Sequence, residues 1–273
     1  VTPVIVGTSL AFRDGFLHVG AAMAALLGAV AIQVGTNLAN DYFDWKHGAD
    51  TQARLGPLRV TQAGLVTPAR MRLAMWAVFG FAILDGAFLV WRGGWPVLVA
   101  GLLSVAAGVL YTGGPFPLAY HGLGDIFVLL FFGIVAVCGT YYVQALKLNL
   151  LVLLLSIPIG LLATAILVVN NLRDIDTDRA TGKMTLAVRL GRTGARWEFA
   201  VIFIAIALVP ALLVLTHSCR PGVLLASAAM LVSIPLLRTV FRHTDGPTLN
   251  HALADTARLQ LIYGCLLAVG LQL

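Results

Sequence analysis

Apolar residues run along this chain in blocks of about twenty, separated by polar stretches of two kinds. A helix that crosses the hydrocarbon core of a bilayer needs about 20 predominantly apolar residues. Eight blocks meet or approach that length, at 16–39, 70–91, 95–111, 123–145, 149–170, 196–216, 221–241 and 255–273. Residues 1–12 are apolar but too few to span, and they read as the second half of a further helix whose start is missing. The pattern predicts an all-α polytopic bundle of nine transmembrane helices, the first truncated, in a single transmembrane domain over 1–273. No basic segment with a cleavage site precedes the first block, so a signal peptide is not expected.

The polar breaks alternate. Those at 13–14, 92–94, 146–148 and 217–220 are short, and those at 40–69, 112–122, 171–195 and 242–254 are long. Counting Lys and Arg in the loops and adjoining helix ends gives fourteen on the long-loop side and four, Arg13, Arg92, Lys147 and Arg220, on the other. Positive charge stays in the cytoplasm when a chain inserts. The long loops are therefore expected on the cytoplasmic face of a cell membrane, the bacterial inner membrane. Removing one helix from the count would scramble this split.

Composition agrees. Hydrophobic residues make up 59% and charged residues 11%, and mean hydropathy is +0.92. Soluble domains carry about 25% charged residues, and disordered chains are poor in apolar ones, so both classes are excluded. The net charge of +6 reads as orientation in the bilayer. No Lys/Arg run with interleaved aromatics occurs, which argues against a nucleic-acid partner. Cys138, Cys219 and Cys265 are far apart with no metal-binding spacing, and the six His are dispersed. Thr181-Gly182-Lys183 lacks the earlier Gly of a phosphate-binding loop.

The acids are where the chemistry concentrates. Six of the twelve fall in two short segments, Asp41, Asp44 and Asp50, then Asp174, Asp176 and Asp178. Residues three and four apart share a helix face. Asn37, Asp41 and Asp44 thus form one stripe, and Asn170, Asp174 and Asp178 another, while Asp176 points elsewhere. The two stripes end helices four apart in order, which suggests a duplicated four-helix unit with a site between its halves. Clustered carboxylates repel and need a reason. Hard oxygen ligands of this kind suit Mg²⁺, which prefers a few carboxylates plus substrate phosphates to an all-protein cage. Arg173, Arg179, Lys183, Arg189, Arg54 and Arg59 stand nearby. Metal ions with Lys/Arg clamps stabilise a departing diphosphate. The residues describe a membrane site that ionises a diphosphate whose hydrocarbon tail lies among the helices. A cation-coupled transporter is the rival class, although the helix centres are almost purely apolar.

The same residues carry a family resemblance. Asn40-Asp41-x-x-Asp44 with Asp50, together with Asp174-x-x-x-Asp178, resembles the two Asp-rich motifs of the UbiA-type intramembrane prenyltransferases. The stretch 170–191, with 56–64 and 111–120, is similar to the 1,4-dihydroxy-2-naphthoate branch of menaquinone biosynthesis. Gly48 stands where many members, the 4-hydroxybenzoate type among them, have a third Asp, and Asp50 follows two residues later. That spacing fits the naphthoate branch better than the 4-hydroxybenzoate or homogentisate types.

The resemblance implies transfer of a polyprenyl group from a polyprenyl diphosphate to an aromatic acceptor, 1,4-dihydroxy-2-naphthoate, with loss of CO₂ and diphosphate to give demethylmenaquinone. It implies that Asp41, Asp44, Asp174 and Asp178 hold two Mg²⁺ ions. Asn37, Asn40 and Asn170 would support the metals or the diphosphate, Arg59, Arg173, Lys183 and Arg189 would bind it, and Asp50 would act on metal or acceptor. An allylic cation would need aromatic faces, for which Tyr111, Tyr120, Tyr141 and Tyr142 are candidates.

Overall fold

The structure, a computed structural model, describes residues 1–48 and 55–273. Among them the regular elements are helical: α1 (Thr2–Arg13), α2 (Val19–Lys46), α3 (Pro68–Gly93), α4 (Trp95–Leu110), α5 (Gly124–Ala145), α6 (Leu150–Arg173), a short α7 (Ile175–Ala180), α8 (Leu186–Leu215), α9 (Pro221–Arg242) and α10 (Gly246–Gly270). Seven of these are long and apolar enough to cross a membrane, and α4 is a shorter apolar helix of 16 residues. The chain is a multi-pass membrane protein.

Helix starts follow local capping chemistry. Asn149 Oδ1 accepts the Val152 N–H at the start of α6, 3.0 Å, and Asp245 Oδ1 accepts that of Thr248 at the start of α10, 2.9 Å. The Asp245 cap explains why α10 begins nine residues before the last apolar block: the polar residues Asn250, His251 and Asp255 interrupt hydrophobicity but not the helix. Likewise α2 runs to Lys46, so Asp41 and Asp44 are helical, as their spacing predicts, although the apolar block ends before them. The stretch leading to the block at 196–216 is already helical from Leu186, with a break at Gly191, φ 72° and ψ 172°. That conformation is almost exclusive to glycine, and it separates a short amphipathic piece from the spanning part.

α6 is the central helix. Some 61% of its apolar window is buried, against 22% for α2 and for α3. Its Leu155, Ile159, Leu162 and Leu172 share one core with Phe199 and Ile206 of α8 and Leu259 and Tyr263 of α10. α5 crosses it where Gly133 meets Gly160, and a Cβ on Gly133 would lie 2.6 Å from the Gly160 Cα. Small residues at a crossing let helix backbones approach where packing must replace the hydrophobic effect. At this crossing α5 is π-helical, over Leu129–Val135. The outer faces expose Leu84, Trp91 and Leu231, a surface suited to lipid.

At the short-loop end Asp14 accepts hydrogen bonds from Tyr141 Oη (2.7 Å), Arg13 Nε (2.9 Å) and Asn149 Nδ2 (3.3 Å). Burial pushes the Asp14 carboxyl up. The bonds from Tyr141, Arg13 and Asn149, with the Arg13 charge, outweigh it and hold the group below its ordinary value.

Candidate active site

The last turns of α2 build one half of the site. Asp41 and Asp44 lie a turn apart on its buried face, with Asp44 only 2% exposed. The segment after the undescribed residues folds back over this helix end. Its backbone N–H groups at Val60 and Thr61 donate to Asp41 Oδ2 and Oδ1, both at 3.2 Å. Asp44 is approached from three sides: by Arg59 Nη2 and Lys183 Nζ, each 3.6 Å from Oδ2, and by the Tyr120 hydroxyl, 3.4 Å from Oδ1. Asn40 Oδ1 accepts the Thr112 hydroxyl at 3.0 Å. Asn37, one turn before Asp41, is exposed.

The end of α6 builds the other half differently. Asp174 is gripped by its neighbour Arg173, with Nε to Oδ1 at 2.8 Å and Nη2 to Oδ2 at 2.5 Å. Two parallel bonds of this kind are the strong form of an ion pair. The same guanidinium donates to Asn170 Oδ1 (2.8 Å) and Asn250 Oδ1 (2.7 Å), and it is buried. Asn250 in turn donates to the Leu55 carbonyl at 3.0 Å. Arg173 is thus fully engaged with protein groups, where the sequence had suggested a diphosphate ligand. Asp176 pairs outward with Arg192 at 2.7 Å and is 75% exposed, off the stripe as its spacing predicts.

The turn after α7 joins the halves. The Lys183 N–H donates to the Asp178 carbonyl at 2.8 Å, and its ammonium reaches Asp44 and lies 5.6 Å from the Tyr120 ring centre. Tyr111, just past α4, packs its hydroxyl against Gly124, and its neighbour Thr112 bonds Asn40. Arg189 is exposed, donates to the Met184 carbonyl at 3.1 Å and lies against Gly122. Asp50 and Arg54 lie outside the described residues.

Two of the four candidate tyrosines fall elsewhere. Tyr141 bonds Asp14 near the start of α2, and Tyr142 bonds the Gly93 carbonyl at 3.1 Å. Both are at the far end of the bundle from Asp41 and Asp44. Periodicity could not separate these tyrosines from Tyr111 and Tyr120, because all four sit near helix ends. Thr112 and Asn250 carry no signal in the sequence. Asp125 alone carried a signal, an acid at the edge of an apolar block.

Among the described residues no three Asp, Glu, His or Cys side chains converge as a ready-made metal cage. The donors still fit Mg²⁺ in its usual manner, one or two carboxylates completed by substrate phosphates. Asp44 is buried yet its three neighbours stand at 3.4–3.6 Å, longer than charge-assisted bonds, so its oxygens keep capacity for a closer ligand.

Comparison with known proteins gives a consistent result. The UbiA prenyltransferase family matches residues 1–261. The chain is 38% identical over 276 residues to 1,4-dihydroxy-2-naphthoate octaprenyltransferase of Escherichia coli (strain K12), covering 98% of this chain and 89% of that one. In fold it resembles the apo structure of a UbiA homolog from Aeropyrum pernix K1, with a TM-score of 0.72 at 16% identity over 97% of this chain and 96% of that one. It also resembles a UbiA homolog from Archaeoglobus fulgidus bound to DMAPP and Mg²⁺, with a TM-score of 0.69 at 14% identity, covering 98% and 96%.

Proposed function

The chain belongs to the UbiA prenyltransferase family, and we propose that within it this protein transfers a polyprenyl group from polyprenyl diphosphate to 1,4-dihydroxy-2-naphthoate, releasing CO₂ and diphosphate and forming demethylmenaquinone in its quinol form. The reaction runs on one transmembrane domain, with the long loops on the cytoplasmic face of the inner membrane. One observation carries the reading. Lys183, which follows the second acidic segment, reaches Asp44 of the first, so the two Asp-rich helix ends share one site. The naphthoate relative supports the choice of acceptor.

Asp41, Asp44, Asp178 and, once freed from Arg173, Asp174 would hold Mg²⁺. Bound there, the metal takes up charge developing on the departing diphosphate. Lys183 and Arg59, beside Asp44, turn from that carboxylate to the diphosphate oxygens, and Arg189 lies close enough in sequence to join them. The Tyr120 ring, whose hydroxyl lies 3.4 Å from Asp44, and the Tyr111 ring would offer faces to the allylic carbon, where a ring quadrupole favours positive charge. Apolar side chains of the surrounding helices would keep water from that cation, and the prenyl tail needs no polar contact.

The test is a product assay on purified protein with geranylgeranyl diphosphate and either 1,4-dihydroxy-2-naphthoate or 4-hydroxybenzoate, with Mg²⁺ and with EDTA. The expected outcome is a prenylated naphthoquinone that requires Mg²⁺ and returns when Mg²⁺ is restored. Transfer to 4-hydroxybenzoate alone would replace the acceptor, and Mg²⁺-independent transfer would remove the metal site.

A further inference from the structure

Asp125 opens α5 beside the site, and the chemistry above leaves it without a task. The residue is 6% exposed. Its Oδ2 is buried and, among the described residues, receives no hydrogen bond. Native proteins seldom leave a buried carboxylate oxygen without a donor unless function calls for it.

The surroundings of Asp125 are built. Gly124 seats the Tyr111 hydroxyl so closely that a Cβ there would come 2.8 Å from it, and Leu167 of α6 closes the same spot at 3.3 Å. The Thr164 hydroxyl of α6, which donates to the Gly160 carbonyl at 3.0 Å, also lies 3.4 Å from the Asp125 carbonyl. The neighbours of this spot reach the acidic site: Thr112, next to Tyr111, donates to Asn40 at 3.0 Å, and the hydroxyl of Tyr120, five residues before Asp125, lies 3.4 Å from Asp44. Asp125 therefore belongs to the same end of the bundle as Asp41 and Asp44, next to the Tyr111 hydroxyl.

An open carboxylate oxygen wants a donor. The diphosphate is an anion and is repelled by it. The prenyl tail has no donor to offer, and the nearby cations Lys183 and Arg59 stand at Asp44. Among the groups the substrates bring, what remains is a hydroxyl of the aromatic acceptor. Resting on the function proposed above, we propose that Asp125 receives the acceptor: its Oδ2 accepts the hydrogen bond of a ring hydroxyl and takes that proton as the ring attacks. The electrons balance. A ring π pair forms the new C–C bond to the allylic carbon. The O–H pair of the hydroxyl becomes the π bond of a carbonyl, its proton passes to Asp125, and the C–O bond to diphosphate breaks with its pair on the diphosphate.

The experiment compares wild type, Asp125→Asn and Asp125→Ala, each full-length in lipid nanodiscs. It varies geranylgeranyl diphosphate, 1,4-dihydroxy-2-naphthoate and its two monomethyl ethers in turn, and melting curves check folding. In Asp125→Asn the expected result is a loss of about 100-fold in kcat/KM for the acceptor, the size of a lost proton acceptor. KM for the diphosphate and the Mg²⁺ requirement stay unchanged. One monomethyl ether suppresses wild type but brings no further loss in Asp125→Asn. An unchanged acceptor kcat/KM in Asp125→Asn, or a loss that falls on the diphosphate or Mg²⁺, overturns the inference while leaving the function intact. Wild type that prenylates neither naphthoate nor 4-hydroxybenzoate overturns both. Asp125→Asn keeps the test valid if Asp125→Ala does not fold.

Discussion

The ends of α2 and α6 carry similar letters and hold them in opposite ways. At the end of α2 the carboxylates are loosely attended. Asp41 takes two backbone N–H groups at 3.2 Å, and Asp44 has three partners at 3.4–3.6 Å. At the end of α6 Asp174 is locked to Arg173 by two bonds of 2.5–2.8 Å, with two Asn amide oxygens bracing the guanidinium. The first end can accept a cation by small shifts. The second must first give up an ion pair that also ties α6 to α10 and to the Leu55 carbonyl. Asp41 and Asp44 are loosely held, whereas Asp174 is part of the frame.

That contrast can be broken by substitution, beginning with the largest effect. Asp44→Ala should cost about 10²–10³-fold in kcat, the scale of a lost electrostatic stabiliser, with little change in melting temperature; equal losses in both would place Asp44 in the frame as well. Arg173→Ala strands a buried carboxylate and should lower stability by about 3–5 kcal/mol, read by denaturation in detergent. Asp174→Ala should do nearly the same from the other side, so its loss of activity is accompanied by loss of fold. Gly191→Ala forces a side chain into φ 72°, ψ 172° and should cost about 1–3 kcal/mol, loosening the piece that carries Arg189. Arg192→Ala breaks an ion pair whose carboxylate is 75% exposed, and should cost only about 0.5 kcal/mol. If Arg192→Ala matched Arg173→Ala, the distinction between framed and solvated pairs at this helix end would fail.

The helices and the acidic letters were legible because both rest on local rules. Apolar blocks of about twenty give spans, and i, i+3, i+4 spacing gives the face of Asp41 and Asp44. The partners were not legible. Nothing in sequence says that Arg173 closes on its own neighbour, or that Asn250, seventy-seven positions on, holds the other side of the guanidinium. The ends of α2, α8 and α10 were misjudged for a related reason. Hydrophobicity marks where the membrane stops, whereas caps such as Asp245 and breaks such as Gly191 mark where the helix does. Tyr141 and Tyr142 looked like Tyr111 and Tyr120 until topology sent them to opposite ends.

The π-helical segment of α5 sets the phase of that helix. Its wider turns slip one residue into the spiral between Asp125, which faces the site, and Tyr141, which faces Asp14. Removing a single residue from Leu129–Val135 would shorten α5 very little. It would instead turn one half against the other by about 100°, the angle per residue of an α-helix, so that Asp125 and Tyr141 could no longer both keep their stations. The chemistry at one membrane face is thereby indexed to the anchoring at the other by one surplus residue midway between them.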